Sequence, residues 1–72
     1  MDKSLLEKVA KKIKTYRKQK KLTQLRLSIK SGVKPSMIGM VETASTDITL
    51  SKLNAIAEGL GVELCELLNF KS

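Results

Sequence analysis

The chain has no histidine and no tryptophan, a single cysteine (Cys65), a single proline (Pro35) and two aromatic residues, Tyr16 and Phe70. Each scarcity narrows what the protein can be. Without histidine the commonest general base and metal ligand is missing. One cysteine cannot close an internal disulfide or build a metal cluster. The apolar neighbours of Cys65 predict a buried structural thiol rather than a reactive one. No apolar run approaches the length of a membrane span. The first residues, MDKSLLEKVAKKIKTY, lack the long apolar core and small-residue cleavage pattern of a secretory signal. There is also no glycine-rich phosphate loop and no Ser/His/Asp set. The sequence therefore predicts no catalytic residues, no metal, no cofactor, no membrane partner and a cytoplasmic location.

Positive charge is abundant. The net charge is +7 over 72 residues, a length that suits one small domain spanning 1–72. The distribution is uneven. From Lys8 to Met40 there are eleven Lys or Arg residues and no Asp or Glu, whereas from Val41 onward two basic residues face five acidic ones. A lysine-rich solvated surface accounts for such a half, and so does a field that attracts polyanions.

The stretch Thr23–Glu42, TQLRLSIKSGVKPSMIGMVE, has the pattern of two short helices around a tight turn. Thr23 can cap the first, since its hydroxyl accepts from a free N–H of the opening turn. Leu27, Ser28 and Ser31 share one face, and small Ser28 permits close packing on the next helix. Gly32 sits where the chain turns sharply and a positive φ costs glycine nothing. Val33 adds an apolar side chain after the turn. Pro35 suits the first position of the second helix, where its missing N–H would have been unpaired anyway. Ile38 and Val41 point inward. This is the pattern of a helix-turn-helix, which places its second helix in the DNA major groove, and it is also that of a plain helical hairpin.

Five helices and no strands are predicted in all. The first spans about Ser4–Lys20, with Ser4 and Glu7 as a capping box. Its apolar face carries Leu6, Val9, Ile13 and Tyr16. Such a basic amphipathic helix also fits an acidic membrane surface, although Tyr16 would be its only aromatic anchor. Thr43–Asp47 reads as a polar loop. The fourth helix spans about Leu50–Gly59, capped by Thr49, with Leu50, Leu53, Ile56, Ala57 and Leu60 facing inward and Gly61 as its stop. A short last helix, about Glu63–Leu68, offers Leu64, Leu67 and Leu68. Lys71 and Ser72 are expected to fray.

The chain resembles the Cro/C1-type (XRE) helix-turn-helix domains of phage repressors and bacterial regulators. The likeness covers a core of about residues 9–68. It rests on LTQ at Leu22–Gln24, SGV at Ser31–Val33, Ile38, Glu42 and LSKLNAIAEGLGVELCELL at Leu50–Leu68. It implies an all-α, five-helix, lambda-repressor-like fold with the helix-turn-helix at about 23–42. It implies DNA base reading by Lys34, Pro35, Ser36, Met37, Gly39 and Met40, and phosphate contact by Gln24, aided by a helix N-terminus. Thr23, Lys30 and Lys34 join Gln24 as expected phosphate contacts. Arg17 and Glu42 match a structural ion pair of the family. Three departures stand out. Thr43-Ala44 follows Glu42 where the family often has a basic residue and glycine. Leu25 occupies a usually polar position. No Arg, Asn or Gln stands among Ser36, Met37, Gly39 and Met40, so the bidentate readers of guanine and adenine are missing there. Methyl contacts from Met37 or Met40 and DNA shape then carry more of the specificity, while core packing is the competing role for both methionines.

The sequence thus predicts a DNA-binding transcriptional regulator, most simply a repressor of bacterial or phage origin. Its expected partners are double-stranded DNA and a second copy of itself. Leu64, Leu67, Leu68 and Phe70 are the candidate dimer interface, with completion of the core favoured for Leu64 and Leu67. The rival readings are an antitoxin with a toxin partner, a controller protein of a restriction–modification system, and a membrane- or RNA-binding module using the basic helix alone.

Overall fold

The computed structural model describes residues 2–70, and within them five helices and no strand: α1 (Lys3–Gln19), α2 (Gln24–Ser31), α3 (Pro35–Glu42), α4 (Leu50–Leu60) and α5 (Leu64–Leu67). The predicted fraying of Lys71 and Ser72 lies outside the described residues.

Local chemistry sets the helix ends. Asp2, not Ser4, caps α1: the Leu5 N–H donates to its side chain at 2.8 Å. The predicted Ser4–Glu7 box is therefore corrected, because the ionised Asp2 carboxylate lets the helix begin one residue earlier. Thr23 and Thr49 cap α2 and α4 as expected. A capping box does occur, at α5, where the Glu63 N–H donates to the Glu66 side chain at 2.7 Å. Gly32 and Gly61 end α2 and α4 with φ of 75° and 74°. Lys21 and Ala44 make the same left-handed turn after α1 and α3, with φ of 58° and 56°. A side chain at such a turn costs about 1–2 kcal/mol. The turns nonetheless close alike, because Leu22 N–H donates to Arg17 O at 3.0 Å and Ser45 N–H to Met40 O at 2.8 Å.

Every helix contributes to one core, with Ile13, Leu27, Ile38, Leu53, Ile56 and Leu67 fully buried. On α1 the inward face is Val9, Ala10 and Ile13, while Leu6 is half-buried. The most extensive helix contact is α2 on α4. It is close because Gly59 lies beneath Ser31 and Leu27: a Cβ on Gly59 would stand 2.9 Å from the Ser31 Cβ. The loop between α3 and α4 is not purely polar, since Ala44 and Ile48 are buried and pin it down.

Two inward expectations are corrected, and one interface candidate joins the core as favoured. Leu50 is exposed, because as the first residue of α4 it precedes the part of the helix that the others cover. Cys65 is also exposed, because Leu64 and Leu67 turn the apolar side of the short α5 inward and leave Cys65 off that side. Leu67 is fully buried within its own protomer and is thereby removed from the candidate dimer interface.

Candidate nucleic-acid interface

Helix α3 is divided lengthwise. Ile38, Val41 and Glu42 are buried, Pro35, Ser36 and Met40 are exposed, and Met37 and Gly39 are half-buried. Pro35 occupies the first turn, and Lys34 at the N-cap is exposed with no side-chain capping bond. The predicted reading residues thus share an outward surface, except that Met37 also packs partly against the core. Met40 is 42% exposed, so the core does not claim it.

An ion pair fixes the inner edge of α3. Arg17 Nε donates to Glu42 Oε2 at 2.6 Å, and an Nη donates to Oε1 at 3.0 Å. The other Nη donates to the Leu22 carbonyl at 2.8 Å. The Glu42 side chain is 2% exposed. Its carboxylate is satisfied, because Gln24 Nε2 also donates to Oε1 at 3.2 Å. One cluster therefore joins the end of α1, the start of α2 and the end of α3, as the sequence implied for Arg17 and Glu42. Binding Gln24 into it was not anticipated, because nothing in the sequence spacing shows which way a carboxamide turns.

The predicted phosphate residues do not all come together. Gln24 stands exposed beside α3 with its second amide proton free of Glu42. Thr23 Oγ1 accepts from Arg26 N–H at 3.0 Å, which leaves its hydroxyl proton for an outside acceptor. Lys30 is exposed at the other end of α2, roughly 9 Å along the helix from Gln24. Lys34 lines a groove of about 420 Å³ with Ser36, Met37 and Met40 on one side and Ser51 and Lys52 of α4 on the other. Lys52 was missed by the sequence reading, although it is the lone described cation after Lys34 in an otherwise acidic half. At the C-terminal end of α3, Lys14 and Lys18 of α1 line a groove with Glu42, Thr43 and Ala44. Thr43 itself is engaged internally, with Oγ1 3.1 Å from the Gly39 carbonyl and 2.6 Å from Ser45 Oγ.

Elsewhere Leu25, at its usually polar position, is exposed together with Ile29 of the same helix. Of the predicted interface residues, Leu68 is exposed. Leu64 and Phe70 are half-buried against the core, with Lys8 Nζ 5.8 Å from the Phe70 ring centre. Among the described residues no His/Cys/Asp/Glu group is placed to hold a metal ion, and no helix is long and apolar enough to cross a membrane.

Two helices around a glycine turn, the second held inward by a buried ion pair and bare outward, define a helix-turn-helix protein of the all-α class. The profile of the helix-turn-helix family HTH_3 matches residues 13–67, and the chain belongs to that family, the Cro/C1 or XRE type. Among solved structures it is similar to an HTH_3 family transcriptional regulator from Vibrio cholerae, with a TM-score of 0.90 and 25% identity over 94% of this chain, which spans 38% of that protein. It is also similar to the restriction-modification controller protein C.AhdI from Aeromonas hydrophila, with a TM-score of 0.83, 31% identity, and 86% and 94% of the two chains covered. The controller protein C.Esp1396I, solved as a tetramer in complex with its natural 35 base-pair operator, matches with a TM-score of 0.80 and 34% identity over 90% of this chain and 96% of that one. No curated protein matches the chain in sequence.

Proposed function

We propose that the protein is a sequence-specific transcriptional regulator, acting as a repressor, that binds a pseudo-palindromic operator as a homodimer and works without catalysis in the cytoplasm. The observation that carries this reading is the bare outer face of α3. Pro35, Ser36 and Met40 stand exposed, with half-buried Gly39 between them, while the Arg17–Glu42–Gln24 cluster locks the opposite edge. Lys34 and Lys52 flank that face, and phosphates are their natural partners. The DNA base contacts come from Ser36, Gly39 and Met40, and the backbone contacts from Thr23, Gln24, Lys34 and Lys52. Dimerisation falls to Leu68 with the exposed edges of Leu64 and Phe70.

A restriction–modification controller is the second reading. It is favoured by the likeness to two such proteins over nearly their whole length at 31–34% identity. Both readings need operator DNA. Selection from random duplexes is expected to return two related half-sites with centres about 34–36 Å apart. Thymine at the position facing Met40 is expected to lose its preference in Met40→Ala. No enrichment of any sequence would sink the reading, and enrichment of a single half-site bound by a monomer would sink its dimeric part.

A further inference from the structure

Three of the four glycines answer to the protein's own interior. Gly32 and Gly61 hold positive φ values. Gly59 lies under α2, where a Cβ would stand 3.1 Å from Leu27 Cδ1 and closer still to Ser31. Gly39 has neither reason. It sits in the middle of α3, and a Cβ there would meet only Gln24 Oε1, at 3.7 Å, an ordinary van der Waals contact. Glycine is the poorest helix former after proline, and α3 has only eight residues. The fold therefore carries a destabilising residue whose side-chain space no protein atom fills. That space lies on the same outward surface as Ser36 and Met40.

The atom beside the gap has a defined chemistry. A carboxylate only accepts, so Gln24 must present its amide nitrogen to Glu42, and its oxygen is the atom nearest Gly39. Arg17 holds that carboxylate in turn. Gln24 Oε1 is thus a preset acceptor at the rim of the cleared space.

We propose that Gly39 is the point where the major groove closes onto α3, and that the base admitted there donates its exocyclic amino group, adenine N6 or cytosine N4, to Gln24 Oε1. This rests on the DNA-binding reading above and changes one role within it. Gln24 reads a base through its oxygen while its second N–H remains for a phosphate. The missing Cβ supplies the close approach that the absent Arg and Asn readers would otherwise bridge with their length.

The test uses the full chain with Gly39→Ala and, separately, Gln24→Ala, against the operator selected by the wild-type protein. Gly39→Ala is expected to raise Tm by roughly 4–8 °C, because alanine favours the helix. It is also expected to weaken operator binding about tenfold or more, and by a larger factor than it weakens binding to non-specific duplex. Deleting the amino group from one adenine or cytosine at a time should expose one position per half-site where the wild type loses affinity and Gln24→Ala loses nothing further. Unchanged operator affinity in Gly39→Ala overturns the clearance role, and so does a lower Tm, which would make Gly39 a packing residue. An amino-deletion series with no position sensitive to Gln24→Ala overturns the acceptor role. If the wild type selects no sequence at all, the failure lies in the DNA-binding reading, and the proposal falls with it.

Discussion

The ion pair between Arg17 and Glu42 is where single side chains matter most. It is bidentate and also holds the Leu22 carbonyl and Gln24, so most of its hydrogen-bonding capacity is used. Breaking such a buried pair costs about 3–5 kcal/mol, because one charge is stranded. The partners are not equally deep: Glu42 is 2% exposed and Arg17 13%. Arg17→Met strands the deeper charge, with only the Gln24 amide left to it. Glu42→Gln strands the shallower one, which keeps the Leu22 carbonyl. Urea unfolding is therefore expected to show Arg17→Met losing about 3–5 kcal/mol and Glu42→Gln less. Against a total of about 5–15 kcal/mol, the first variant would be near the limit of folding. Losses below about 1 kcal/mol in both would class the pair with ordinary surface salt bridges.

Helix α3 is too short to hold itself together, and its orientation is imposed by its neighbours. Eight residues are far below the length at which an isolated helix survives in water. Helix α1 fixes its end through Arg17, and α2 lies across both α3 and α4. The α2–α4 contact depends on backbone closeness at Gly59. Gly59→Ala puts a methyl 2.9 Å from the Ser31 Cβ, so the helices must separate. The expected loss is about 1–3 kcal/mol, read as a lower Tm in thermal melting. The two glycines that lie within helices are thus predicted to respond to the same substitution with opposite signs, Gly39→Ala upward and Gly59→Ala downward. Both rising would show that α2 and α4 have slack at their contact.

Over the whole molecule, charge follows the division of labour. The eleven cations from Lys8 to Lys34 belong to α1, α2 and the segments bordering them, and five of the seven acidic residues lie from Glu42 onward. Lys14 and Lys18 lie by the C-terminal end of α3, and Lys34 and Lys52 border its exposed face. A duplex seated on α3 would meet cations beside its exposed face and near its end. Operator affinity should then fall linearly with log salt, with a slope of about −0.9 for each phosphate neutralised. Charge reversal at Lys52 is expected to make the slope shallower and weaken all duplexes alike, while Met40→Ala should weaken only the preferred one. A salt-independent affinity would remove the electrostatic part of the account.

The sequence by itself determined the five helices, the glycine ends of α2 and α4, the helix-turn-helix and the Arg17–Glu42 pair. These follow from apolar spacing, capping chemistry and short motifs, all written within a few turns of chain or in the family resemblance. It misplaced the start of α1, where Asp2 and Ser4 both satisfy the capping rule and only the built helix chooses. It also misread Leu50, Cys65 and, within the polar loop, Ala44, because hydrophobicity says that a side chain prefers burial but not whether another element arrives to cover it. Tertiary structure alone decided the rest. It set the turn of the Gln24 carboxamide, the meeting of Lys52 with α3, and the difference between Gly59, which packing requires, and Gly39, which packing does not. Each of these depends on atoms brought together across segments, and spacing along the chain carries no record of that distance.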